Sequence, residues 1–140
     1  MAPVASFELN GNLLHEVHGG GPGRGFNFLT LDAQTGTLGP IRVFDTFESQ
    51  ADLEAMEDYL RAIPLGSAVL GAIADEGTHL LTDETRQIIR DTLGSQLIDF
   101  VGFQYSWAII TRKNATQPIA EGLSPNGIVV LERTLSFPLP

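Results

Sequence analysis

Residues 67–77 read Ser67-Ala68-Val69-Leu70-Gly71-Ala72-Ile73-Ala74, followed by Asp75-Glu76-Gly77. The first eight form a nearly continuous apolar run, and Pro64-Leu65-Gly66 marks a turn before it. A short apolar run bounded by turn signals is typical of a central strand that is buried on both faces. The acidic unit then begins a loop, where binding residues are common because a rigid element positions them. We therefore predict a buried strand over 67–74 that ends in two carboxylates.

Two amphipathic helices are predicted on either side of this strand. Ser49 can cap a helix over Gln50–Ala62, and Thr82 can cap a second helix that ends at Gly94. Apolar residues recur at helical spacing in both segments, at Leu53, Met56, Leu60 and Ile63 in the first and at Ile88, Ile89 and Leu93 in the second.

The other elements are predicted as strands and loops. Asn10-Gly11 favours a type I′ turn between strands at 6–9 and 12–17. A second hairpin is expected from 26–31 and 41–44, and further strands at 107–111 and 128–131 flank a polar loop at 114–126. Hairpins with two inserted helices indicate the α+β class. We expect one compact domain over 1–140, with a loose C-terminal tail from about 136.

Composition narrows the range of functions. The chain has 140 residues, a net charge of −9 and no cysteine. The negative charge repels phosphate backbones and anionic membranes, so no nucleic-acid partner is expected. No apolar run approaches the ~20 residues that span a bilayer, so no membrane insertion is expected. The N-terminus lacks a signal-peptide pattern, which with the absence of cysteine suggests cytosolic folding and leaves display on a virion or cell surface open.

Catalytic, nucleotide and metal sites are not indicated. The glycine run at 19–25 precedes a predicted strand rather than a helix, so it lacks the main donors of a phosphate loop. His15, Glu16 and His18 do not have the helical spacing of a zinc site, although a weak calcium site of oxygen ligands stays open. There is no cysteine nucleophile and no Gly-x-Ser-x-Gly unit. We therefore expect a protein that is not an enzyme and has no cofactor.

Four short motifs occur in order: Gly23-Arg24-Gly25, Phe44-Asp45-Thr46-Phe47, Asp75-Glu76-Gly77, and Leu93-Gly94-Ser95 with Trp107 following. Together they resemble the interleukin-like EMT inducer family, also called the GG domain, over about 7–131. Within this family the chain resembles in particular the sugar-binding stem domain of protein O-mannose N-acetylglucosaminyltransferase, which does not catalyse. The resemblance implies two mainly antiparallel β-sheets packed with two or three short helices.

The resemblance also implies a ligand site. Arg24 and Asp75 match the positions that face the sugar in the stem domain. Gln104 stands where that domain has a second arginine, so the predicted site lacks this cation. Glu76 adds acceptor oxygens for hydroxyls, and Phe103, Tyr105 or Trp107 can stack on the apolar face of a sugar ring.

Structural interpretations of the same residues stay open. Arg24 and Asp75 can instead pair with each other or cap loops. Trp107 opens an apolar strand, so packing in the core is favoured over stacking on a ligand. Asp45 is interpreted as an acceptor for backbone N–H groups in a turn.

The sequence therefore favours a non-catalytic, lectin-like module with a glycan as its partner. The alternative is a structural or adhesion subunit of a larger assembly, such as a phage capsid or tail protein, with protein partners. A third hypothesis, a signalling ligand like the secreted animal relatives, is disfavoured by the lack of cysteine.

Overall fold

The computed structural model describes residues 2–18 and 22–140 and confirms an α+β fold. Two α-helices and seven strands make up the described part of the chain. In order they are β1 Ala5–Leu9, β2 Asn12–Val17, β3 Gly25–Leu31, β4 Arg42–Phe44, α1 Gln50–Ala62, β5 Ala68–Ala74, α2 Asp83–Leu93, β6 Ser106–Arg112 and β7 Ala120–Ser124. A 3-10 turn at Ile98–Phe100 lies between α2 and β6.

The strands form two antiparallel sheets, as expected. Strands β1 and β2 pair as a hairpin, and the other five are ordered β4-β3-β5-β6-β7. Strand β5 is in the middle of the larger sheet and pairs with β3 on one side and β6 on the other. Its residues are nearly all buried, which confirms the apolar run as the central strand.

Local signals in the sequence set the turns and helix ends. Asn10 and Gly11 both have positive φ, at 52° and 78°, as the predicted hairpin turn requires. Ser49 accepts the Asp52 N–H at the start of α1, and Thr82 accepts the Thr85 N–H at the start of α2. Helix α2 ends at Gly94, whose φ of 68° a residue with a side chain would adopt less easily.

The five-stranded sheet lies between two apolar layers. The helices pack on one face through a large core, which includes Phe26, Phe28, Leu53, Met56, Leu60, Ile73, Ile89 and Trp107. The β1–β2 hairpin covers the other face through a smaller cluster of Ala5, Phe7, Leu29, Ala72 and Ala74. Trp107 is 1% exposed and packs edge-on against Phe26, so its predicted place in the core is confirmed.

The last strand is not where the sequence pattern placed it. The chain pairs with β6 through Ala120–Ser124, inside the segment predicted as a polar loop, and 128–131 forms no strand. Glu121 explains the shift, because its carboxylate accepts from Trp107 Nε1 at 2.8 Å and from the Gln96 N–H at 2.8 Å. Ile128 and Val130 are instead more than 80% exposed.

Antiparallel pairing brings several loops to one end of the large sheet. Gly25 pairs with Ala74, and Phe26 pairs with Phe44, so the start of β3 lies beside the ends of β4 and β5. Pairing of Ala72 with Ala108 places the start of β6 at the same end. We call this end the site edge and define it as residues 23–25, 44–48, 75–79 and 102–106.

The glycine-rich loop and the C-terminal tail are the two remaining predicted segments. Residues 19–21 of the predicted glycine-rich loop lie outside the described residues. The C-terminal residues have no regular secondary structure, and the Leu139 N–H donates to the Ala33 carbonyl at 2.8 Å. Within 2–18 and 22–140, no helix has the length and apolar character needed to cross a bilayer.

Candidate functional site

Asp75 and Gln104 meet at the surface of the site edge. Both have a φ of 58°, a left-handed conformation that residues with side chains adopt infrequently. The Gln104 side-chain amide donates to Asp75 Oδ1 at 3.2 Å, and the Asp75 N–H donates to the Pro3 carbonyl at 2.7 Å. Strained backbone of this kind costs free energy and clusters at binding and active sites.

Glu76 lies beneath this pair and holds the loops together. Its residue is 2% exposed, and its carboxylate accepts from four donors. These are the Thr78 N–H and hydroxyl, the His79 N–H and the Gln104 N–H, at 2.7–3.3 Å. The carboxylate is therefore occupied by protein groups, and it positions Gln104 rather than facing solvent.

Arg24 belongs to a neighbouring cluster and is paired with Asp45. Its Nε and Nη2 donate to the two Asp45 oxygens at 3.0 and 2.7 Å, and Nη2 also donates to Glu48 at 2.8 Å. Its guanidinium lies over the Phe47 ring, 4.6 Å from the centroid. Hydrogen bonds from Arg24 hold the pKa of Asp45 below its ordinary value. Charge-assisted, bidentate pairing of this kind fixes the orientation of the arginine.

The two clusters are joined through the loop that follows β5. The Thr46 hydroxyl donates to the Gly77 carbonyl at 2.5 Å, and the Leu80 N–H donates to the Thr46 carbonyl at 3.0 Å. The rings of Phe47 and His79 lie 5.2 Å apart. Hydrogen bonds and ring contacts through residues 45–47 therefore link Arg24 to the loop that carries Asp75 and Glu76.

Aromatic side chains flank the polar pair. Phe103 is 64% exposed and directly precedes Gln104. Tyr105 follows Gln104 but is half-buried, with its ring against Gly102 and the edge of the main core. An exposed aromatic residue next in the chain to a donor and acceptor pair is chemically suited to a sugar, which has an apolar face and rows of hydroxyls.

Sequence reasoning missed the partners of the predicted site residues. Asp45 was interpreted as a turn acceptor, and it does accept the Phe47 N–H at 3.2 Å, but its main partner is Arg24. Glu48 is absent from the predicted ligand-binding residues, whereas the exposed Phe103 is one of the three rings predicted to be able to stack on a sugar. The register of β3 against β4 is the signal that would have located Asp45, because it places Asp45 beside Gly25.

Residues considered for other chemistry lie elsewhere or have protein partners. His15 Nε2 lies 2.7 Å from Asn27 Oδ1, while His18 pairs with Glu16 at 3.3 Å. Among the described residues, no group of three or more metal-ligating side chains is found. A depression of about 400 Å³ lined by Gly66 and residues 112–117 lies at the opposite end of the sheet.

Known proteins similar to this chain support the assignment of its family. Residues 24–115 match the family model described as Interleukin-like EMT inducer. The chain is 35% identical over 88 residues to "Cell surface hyaluronidase" of Danio rerio, a match over 63% of this chain and 6% of that protein. It is 32% identical over 105 residues to "Cell migration-inducing and hyaluronan-binding protein" of Mus musculus, over 74% of this chain and 8% of that protein.

A third relative is "Protein FAM3C" of Danio rerio, which is 34% identical over 91 residues. This match covers 65% of the chain and 39% of the relative. The chain thus spans less than half the length of each of these proteins. Each alignment covers 88 residues or more and is therefore longer than any one of the four motifs. Because the family model matches about two thirds of the residues, the chain belongs to the interleukin-like EMT inducer family.

Proposed function

We propose that the chain is a carbohydrate-binding module that holds its ligand at the site edge without catalysis. The observation that carries the proposal is the exposed hydrogen bond between Asp75 and Gln104, two residues with left-handed backbone, together with the exposed Phe103 that directly precedes Gln104 in the chain. Asp75 offers acceptors, Gln104 offers both a donor and an acceptor, and Phe103 offers a flat apolar surface. These are the groups that a pyranose ring and its hydroxyls require.

The other predicted residues have distinct roles in this proposal. Glu76 positions the Gln104 backbone from below, and Tyr105 supports the same loop through its contact with Gly102. Arg24 contributes Nη1, which has no hydrogen-bond partner among the described residues, while Asp45 and Glu48 occupy its other nitrogens. A pre-oriented site of this kind loses little entropy when a ligand binds.

Relatives support glycan binding as the class of function. The name "Cell migration-inducing and hyaluronan-binding protein" of the mouse relative states hyaluronan binding. The name "Cell surface hyaluronidase" of one Danio rerio relative states a hyaluronidase activity. This chain matches only 6–8% of those proteins, so their activities are not transferred whole. Glycoside hydrolysis needs two available carboxyl groups around the scissile bond, and Glu76 is already saturated by protein donors. Binding without hydrolysis is therefore favoured.

The alternative of a virion or structural subunit receives no support from the relatives described above. They are animal proteins, and none of their names refers to a virion or a structural assembly. Glycan binding is the function that the site edge and the two relatives with hyaluronan-related names support.

The proposal is tested by titrating the isotope-labelled chain with N-acetylglucosamine and a panel of glycosides by NMR. We expect saturable shifts at Asp75, Gln104 and Tyr105. Gln104→Ala should raise Kd about fivefold, since a hydrogen bond to a hydroxyl contributes about 1 kcal/mol. Gln117→Ala is the matched control, because Gln117 is exposed at the opposite end of the sheet. Absence of shifts with every sugar would refute the proposal.

A further inference from the structure

The side chains of the site edge carry an excess of negative charge. Arg24 is the one arginine among the residues of the site edge, which contain no lysine. Asp45 and Glu48 both pair with its guanidinium. Asp75 and Glu76 add two more carboxylates in the next loop. One guanidinium therefore stands against four carboxylates, in a chain whose net charge is already −9. His79 adds a cation only when it is protonated.

Burial strengthens the effect of this charge pattern. The Arg24 side chain is 19% exposed and that of Asp45 is 29% exposed, so water screens this pair less than it screens a surface pair. Glu48 is different, because its side chain is 75% exposed while it still reaches Arg24 Nη2. Glu48 is thus the more exposed of the two carboxylates that pair with Arg24.

We infer that the site edge selects uncharged glycans over uronate-containing ones, and that Glu48 sets this preference by neutralising Arg24. The inference rests on the proposed function and names its ligand class. A uronate approaching the site edge meets the excess negative charge of its described side chains, and it gains little from an arginine that is already paired. An uncharged N-acetylhexosamine makes the same hydroxyl contacts without this repulsion. Hyaluronan, which has a carboxylate in every repeat, is then a poor ligand for this chain.

The test compares two oligosaccharides of equal length by calorimetry, one of N-acetylglucosamine and one of hyaluronan, at low and high salt. We expect the hyaluronan fragment to bind at least about tenfold more weakly at low salt, which corresponds to about 1.4 kcal/mol. High salt should narrow the difference, because it screens charges outside the protein interior.

Glu48→Gln tests the role assigned to that residue. It should strengthen hyaluronan binding about threefold and change binding of the uncharged oligosaccharide by a smaller factor, since Arg24 then has one acidic partner fewer. Glu8→Gln is the control, because it removes the same charge from an exposed position on strand β1. An equal gain in both variants would reduce the effect to net charge and overturn the role of Glu48.

The outcomes separate this inference from the proposed function. Hyaluronan binding as tight as that of the uncharged oligosaccharide overturns the selectivity and leaves glycan binding intact. Failure of both oligosaccharides and of the wider sugar panel overturns both proposals together.

Discussion

At the scale of single residues, the candidate site combines two residues with left-handed backbone and one buried carboxylate. Asp75 and Gln104 are held in left-handed backbone conformations, and the hydrogen bonds that Glu76 accepts keep the Gln104 loop in place. Motif resemblance could single out Asp75 and Gln104 from the sequence. It could not show that Glu76 is buried or that Arg24 pairs with Asp45, because both facts depend on which strands are neighbours and in which register.

Asp45 should make stability depend on pH in the acid range. Its pKa is lowered in the folded chain, chiefly by hydrogen bonds from Arg24. A carboxyl group with a lower folded pKa stabilises the protein fully above its unfolded pKa, near about 4, and this contribution disappears as the pH falls through the folded value. We therefore expect Asp45→Asn to be less stable than wild type at pH 7, and the two stabilities to converge as the pH falls below about 4.

Urea unfolding curves at several pH values measure this convergence. Asp32 also has a lowered pKa, because the Thr35 and Gln34 N–H groups donate to it, but it is unchanged in both proteins and cancels in the difference. Asp58→Asn, at a side chain that is 84% exposed, is the control. A constant difference between wild type and Asp45→Asn across the whole range would contradict the role of the Arg24–Asp45 pair.

At the scale of elements, helices were easier to predict than the last strand. Helix α1 begins and ends at the predicted residues because a capping serine and a helical apolar period agree locally. Strand β7 contains Glu121 and Gly122 and has no strand-like composition, whereas 128–131 does. Its position depends on the Glu121 carboxylate, which bonds Trp107 and the turn after α2. Such long-range contacts leave no local signal.

Lys113 completes helix α1 from a distant part of the chain. Its residue is 7% exposed, and its Nζ donates to the carbonyls of Leu60, Arg61 and Ile63 at 2.6–3.0 Å. Burial lowers the pKa of this ammonium, while the three carbonyls at the negative end of the helix favour its charge. We expect Lys113→Met to lower the free energy of unfolding by about 3 kcal/mol, since it leaves these carbonyls without their donor.

Urea denaturation at neutral pH tests the cap. Arg61→Met is the matched control, because Arg61 lies in the last turn of the same helix but is half exposed and pairs with Asp58 only at 3.7 Å. It should cost less than about 1 kcal/mol, as exposed pairs do. Equal losses in the two variants would show that the buried ammonium has no special role.

At the scale of the whole molecule, the helices, the five-stranded sheet and the β1–β2 hairpin form three layers. The interface between the sheet and the hairpin is the smaller of the two. The helix face of the sheet is covered by a large apolar core, but the hairpin face relies on a few small residues and Phe7. Local turn signals could predict the first hairpin, whereas the division into two sheets came from the family resemblance. The sequence could not predict that the hairpin packs on the face opposite the helices, because this depends on which sides of β3 and β5 stay uncovered.

Asn27 is the polar link between the hairpin and the sheet. It is fully buried, its amide donates to the Gly23 and Gly25 carbonyls at 2.9 and 3.1 Å, and its oxygen lies 2.7 Å from His15 Nε2 in strand β2. We expect Asn27→Ala to lower the free energy of unfolding by about 3 kcal/mol, because buried carbonyls and a histidine nitrogen lose their partner.

Hydrogen exchange of the backbone amides tests whether the hairpin separates from the sheet locally. If it does, the amides of β1 and β2 should lose protection in Asn27→Ala before those of β5. Leu53→Ala is the control, because it costs a similar ~3 kcal/mol by leaving a cavity in the helix-side core. It should not accelerate exchange of the hairpin amides more than that of the β5 amides. Equal acceleration of β1, β2 and β5 in Asn27→Ala would mean that the three layers unfold as one unit and that Asn27 does not hold the hairpin separately.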